Sequence, residues 1–262
     1  MGEPELVTGG ALPAGAGAGA GPGPPHPYWP RELRLPAGYR PNERPVSELL
    51  GLLLAACVTL LAGAWLACGL WAGGGAGPGG RGSPRRGRGR GRRAVLCWFA
   101  LCAALHLVLE GWFSVSHVGL HRDQSLLSQI WKEYAKGDSR YIIADNFTVC
   151  METVTALAWG PLSAWTVIAF LQNKPYRFVL QLIVSLGQLY GDVLYFYTAY
   201  RDGFIHSEFG HPLHFWFYFV FLNGLWIVIP SILIRDAWVN LSRAQREADQ
   251  TSDAPGGKAK AT

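Results

Sequence analysis

The sequence predicts an all-α integral membrane protein: five transmembrane helices forming a bundle with an intramembrane ligand cavity. Three observations predict it. Half of the 262 residues are hydrophobic and only 16% are charged, against about 25% charged in soluble domains. Aromatic residues abound, with eleven Trp, ten Tyr and twelve Phe. Five stretches approach the roughly 20 apolar residues needed to cross a bilayer.

The first stretch, about 49–72, is almost purely aliphatic, and the second, about 94–118, contains CWFALCAALHLVLEGWF. The third, fourth and fifth, about 147–171, 178–199 and 213–234, are each interrupted by a few polar residues. Residues 1–25 form a Gly/Ala/Pro-rich tail with too little apolar bulk to offset the entropy of ordering, so disorder is expected there. HPYWP, at 26–30, is an aromatic cluster suited to a membrane interface. No charged segment followed by a short apolar core opens the chain, so no cleaved signal peptide is expected.

The net charge of +5 and the run GRGSPRRGRGRGRR at 80–93 superficially suggest nucleic acid. An Arg-rich, Gly-rich segment between two spans is more simply a flexible cytosolic loop, here 73–93, because Lys and Arg near helix ends set orientation. No nucleic-acid partner is expected. That placement puts the N-terminus in the lumen and the C-terminus in the cytosol, with fourteen Lys/Arg on the cytosolic side and nine on the other. A cytosolic tail over 241–262 would then carry Lys258 and Lys260, third and fifth from the end, which resembles a dilysine retrieval signal of the endoplasmic reticulum membrane. The five cysteines lie in or beside apolar stretches without a C-x-x-C pattern and read as small hydrophobes.

An ionisable side chain near the bilayer centre costs about 2.5 kcal/mol or more on insertion scales, so such residues face the bundle interior and act there. His106 and Glu110 are four apart on one helix face. Glu152 and Thr155, then Asn223 and Trp226, are three apart on the third and fifth spans. Counted from the helix ends, the polar groups fall in a band roughly 12 Å tall at 1.5 Å per residue. Interhelical glue is the bland alternative for Thr155 and Asn223, and Asp192 reads as a helix-end or supporting residue. Metal binding is not expected: H-E-x-x-H is absent, as is the G-x-S-x-G elbow of a hydrolase.

A carboxylic acid in an apolar cavity favours its neutral, proton-donating form. A neighbouring imidazole accepts or relays a proton, and an indole face stabilises a passing cation. Together they suit alkene isomerisation, which needs no cofactor. At this point HPYWP, LHLVLEGWF, QIWKEYAKGDSRYIIADNFTVCMET, QLYGDVLYF and GHPLHFWFYFVFLNGLW make the chain similar to the emopamil-binding, EXPERA-domain family of sterol isomerases. The likeness covers about 26–246, apart from the Arg-rich run.

The resemblance implies a five-helix protein of the endoplasmic reticulum membrane that shifts a sterol Δ8 double bond to Δ7 by protonation at C9, a C8 carbocation and deprotonation at C7. It implies His106, Glu110, Glu152, Asn223 and Trp226 as catalytic, with Glu152 the acid, His106 and Glu110 the base and return path, and Trp226 the cation stabiliser. Thr155, Asn223, Trp226, Met151 and Tyr141 would contact substrate, Asn223 and Thr155 also holding the carboxyl network. Expected partners are the sterol, cationic amphiphilic drugs that mimic the carbocation, the bilayer and a second copy of the chain. Two other readings stand beside the enzyme: a non-catalytic sterol- or drug-binding membrane protein, and a proton-coupled transporter, against which no inverted repeat is visible.

Overall fold

A computed structural model describes residues 25–73 and 86–253; the N-terminal tail and the two terminal lysines lie outside the described residues. Within them five helices are long and apolar enough to span a membrane. We label them α1 (Val46–Gly73), α2 (86–116), α4 (Asn146–Leu171), α5 (Arg177–Arg201) and α6 (212–253); α3 (Leu126–Tyr134) is a short helix outside the membrane segments. The described residues contain no strand. The protein is a multi-pass membrane protein.

Leu- and Ala-rich α1 is a strong helix former. It packs on α2 and α3, and only 6% of its apolar window is buried, so its surface is left to lipid. Two boundaries differ from those the sequence predicts. The expected loop 73–93 ends early, because helix begins at Arg86, where Arg is nearly as good a helix former as Leu. Beyond residue 234 the fifth span continues to Asp253, into the expected tail; there the helix is polar and exposed, and pairs such as Gln245 to Asp249 at 2.8 Å bridge successive turns. Pro230 lies inside this helix, which a membrane bundle tolerates when neighbours satisfy the freed carbonyl.

One end of the bundle is closed by a cap made of the arm 25–45 and the segment 117–145. Ser125 and Asp145 start α3 and α4 by accepting backbone N–H bonds, Asp145 from Phe147 at 3.0 Å. The main core is aromatic and sits under this cap, joining Tyr28, Phe113, Trp131, Tyr141, Tyr195 and Phe219.

Candidate active site

Both α2 and α4 widen to a π turn along their length, at His106–Glu110 and Thr155–Trp159, and these two turns pack on each other. Such turns are frequent at functional sites. The approach depends on glycine. A Cβ on Gly160 would stand 2.9 Å from Leu107 and 3.4 Å from the His106 Cβ, and one on Gly187 would run into the Trp159 ring. Three helices therefore converge on His106.

The first half of the site forms there. His106 is 3% exposed. Its Nδ1 lies 3.4 Å from Glu110 Oε1, and its Nε2 lies 3.0 Å from the Gln188 amide nitrogen on α5. With that amide donating to Nε2, the ring proton sits on Nδ1 and faces Glu110. Trp226 covers the imidazole at a centroid distance of 5.0 Å and packs on Trp98 at 4.9 Å. Glu110 Oε2 and Gln188 Oε1 are buried without a hydrogen-bond partner among the described residues.

The second half surrounds Glu152, which is buried. Tyr141 reaches in from the cap and donates to Glu152 Oε1 at 2.7 Å. Burial, and then the Glu152 carboxyl beside it, push the Tyr141 pKa well above its ordinary value, so the phenol stays a donor. The Tyr141 ring lies 5.2 Å from that of Tyr134, whose hydroxyl donates to Asn223 Oδ1 at 3.0 Å. Glu110 and Asp192 are the acidic groups near enough to act on Glu152.

Of the residues singled out in the sequence, His106, Glu110 and Trp226 cluster together, and Tyr141 touches Glu152. Asn223 does not hold a carboxyl group directly. Its amide nitrogen is used by the Phe219 and Tyr218 carbonyls at 2.7 and 3.3 Å, because it stands where the wide Pro212–Leu222 turns give way to α-helix and leave carbonyls to satisfy. Thr155 is half-buried on its π turn and makes no side-chain hydrogen bond among the described residues, and Met151 packs against the aromatic core. Sequence reasoning missed Tyr134 and Gln188; a Gln in an apolar span is itself a signal, since an amide there needs a partner.

A shallow cleft of about 510 Å³ at the end of α2, lined by Trp112, Val115, Ser116, Gly119, Arg122 and Asp123, touches none of these groups. Elsewhere Glu208, His211 and His214 bring three ligand-type atoms within 4.8 Å of one another. All three residues already have partners. Glu208 pairs with Arg31 at 3.0 Å and faces His214 at 3.4 Å, while His211 Nδ1 accepts from the Leu213 and His214 backbones and caps α6.

Fold and site thus define an integral membrane protein with a cluster of buried and half-buried ionisable groups inside its bundle. The EXPERA (EXPanded EBP superfamily) profile matches residues 126–237. The chain is 55% identical to the 3-beta-hydroxysteroid-Delta(8),Delta(7)-isomerase of Rattus norvegicus over 86% of its own length and 92% of the rat chain. It is 54% identical to the mouse isomerase and 50% identical to that of Cavia porcellus, with the same coverage of each. It belongs to the EXPERA superfamily, in the branch that holds these isomerases.

Proposed function

We infer that this chain is a sterol isomerase of sterol biosynthesis that moves a Δ8 double bond to Δ7. The 55% identity spanning 92% of the rat isomerase carries the reading. The site supports it with two carboxyl groups in different surroundings, Glu152 bonded to Tyr141 and Glu110 beside His106, which suits one as proton donor and the other as proton acceptor.

In the mechanism we favour, the carboxylic acid of Glu152 gives its proton to C9 and the electrons of the double bond form the new C9–H bond, leaving a cation at C8. The Glu152–Tyr141 bond at 2.7 Å fixes the carboxyl and accommodates the carboxylate that results. Trp226 turns its π face to the cation. Glu110 takes the proton from C7 with its unpartnered Oε2, and the C–H electrons close the new double bond between C7 and C8. His106, whose Nδ1 lies 3.4 Å from Glu110 Oε1, relays that proton away from Glu110. Thr155, Met151 and Asn223 line the sterol, and the intramembrane cavity opens as the sterol enters.

The same reading assigns the chain to the endoplasmic reticulum membrane, N-terminus luminal and C-terminus cytosolic. It also includes inhibition by cationic amphiphiles that imitate the C8 cation, and association with a second copy of the chain. The test is expression in yeast lacking Δ8 sterol isomerase, followed by sterol profiling. Restored Δ7 sterols are expected; continued accumulation of Δ8 sterols with the protein made and membrane-inserted would overturn the reading in favour of a non-catalytic sterol binder.

A further inference from the structure

One face of α5 carries Gln181, Ser185, Gln188 and Asp192, at spacings of four, three and four, all buried. That is one helical stripe, roughly 16 Å long at 1.5 Å per residue. It begins near the bundle end opposite the cap, where the Gln181 amide donates to Asp236 Oδ2 at 3.0 Å and to the Leu233 carbonyl at 2.8 Å. Asp236 itself is exposed. The stripe reaches the site at Gln188, 3.0 Å from His106, and ends at Asp192, an acidic neighbour of Glu152.

Interhelical glue would explain polar residues here only if they were satisfied. They are satisfied only in part: the amide nitrogens of Gln181 and Gln188 are bonded, but Gln181 Oε1, Ser185 Oγ, Gln188 Oε1 and Asp192 Oδ2 are each buried without a hydrogen-bond partner among the described residues. An unpaired polar group in a dry interior costs about 1–3 kcal/mol, and successive unpaired groups along one line are what a file of bound waters satisfies. Gln188 suits a junction. Its amide nitrogen serves His106 when the ring proton is on Nδ1, and after a half-turn of the amide its free Oε1 would serve the other tautomer.

We propose that this stripe of α5 holds a water file that exchanges protons between His106 and the bundle end at Asp236, resetting the acid and the base after each turnover. This rests on the isomerase reading above. A turnover adds one proton to C9 and removes one from C7, so the site returns to its starting state only when Glu110 loses a proton and Glu152 regains one. Along the file each water passes a proton on as it receives another, one O–H bond breaking as the next forms, and no electrons leave the site. The proton released by Glu110 through His106 leaves towards Asp236, and one from solvent returns by way of Asp192 to Glu152.

The experiment uses the purified full chain in lipid nanodiscs, a Δ8 sterol and heavy water, reading deuterium per product molecule at C9 alongside initial rates. That ratio does not depend on how much of a variant folds. Wild type should label its product. The double variant Gln181→Leu/Ser185→Ala should recycle the substrate's own proton, with label per product reduced at least about threefold, kcat lowered on the order of tenfold and KM unchanged. Ser185→Thr keeps a hydroxyl and should restore both. A double variant matching wild type in label and kcat would overturn the water file alone. A wild-type chain that converts no sterol would remove the isomerase reading, and the file's role with it.

Discussion

The cap and the site are both built from buried polar groups, and they treat them in opposite ways. In the cap the partners are nearly complete, only His26 Nδ1 and Asn42 Oδ1 lacking one among the described residues. Arg140 binds both oxygens of Asp138, at 2.6 to 3.0 Å, and also Thr198, while Tyr195 donates to the same Asp138. Burial opposes the Arg140 charge, but the Asp138 carboxylate outweighs it and holds the Arg140 pKa above its ordinary value. Gln129 accepts from the Glu43 and Arg44 backbones, and Lys132 donates to the Arg40 carbonyl and to Gln124. In the site, by contrast, His106, Glu110, Gln188 and Asp192 each retain a buried atom with no partner among the described residues. A satisfied network rigidifies; an unsatisfied one holds capacity for a substrate, a water or a proton. The contrast separates scaffold from chemistry.

It follows that site substitutions should strike activity and cap substitutions stability. Glu152→Gln keeps the shape and removes the transferable proton; we expect sterol conversion to fall by about a thousandfold or more, with the thermal unfolding midpoint in detergent within a few degrees of wild type. Wild-type turnover in that variant would remove Glu152 from the mechanism. Arg140→Leu leaves Asp138 buried and unpaired and should cost about 3–5 kcal/mol of stability, read as a loss of folded protein in thermal scans. Were it instead to fold normally and lose only turnover, the line drawn between cap and site would disappear.

Trp226→Leu should lower kcat about 5- to 30-fold, the range that losing a cation–π contact of about 1–2 kcal/mol implies, and weaken cationic inhibitors by a similar factor. Tyr141→Phe tests a residue that joins both regions. Losing its bond to Glu152 should cost about 1–2 kcal/mol, visible in kcat and in unfolding together.

The smallest effect concerns Lys132, fully buried in the cap. Desolvation pushes its pKa down from 10.5 to about 8, only partly offset by Asp123 and Glu43. Between those two values the unfolded chain binds a proton that the folded chain has released, so this lysine makes stability rise with pH across that window. Unfolding midpoints at pH 7.5 and 9.5 should differ accordingly, and Lys132→Met should flatten the difference. An unchanged difference would assign the pH response to other groups.

Much of the molecule is legible in its amino-acid sequence. The five spans are predominantly apolar stretches of about 20 residues or more, and a bilayer admits only helices there because every backbone group must be satisfied within its own segment. His106, Glu110 and Glu152 are legible for the related reason that burying an ionisable group in lipid is too costly to be incidental. Tyr141 enters only through a resemblance, and nothing in its own loop indicates that it bonds Glu152. Gln188 is visible as a polar residue in a span but without a partner to point to.

Composition and periodicity by themselves therefore determined that the chain crosses the membrane and which ionisable residues it carries inside, since both follow from local transfer energies along one helix. Only the tertiary structure decided that His106 meets Gln188 across 82 residues of chain, that Asn223 answers to Tyr134 rather than to a carboxyl, and that the polar face of α5 is left unsatisfied. Those facts depend on how closely neighbouring helices approach, at Gly160 and Gly187 above all, and such distances are set by packing between segments.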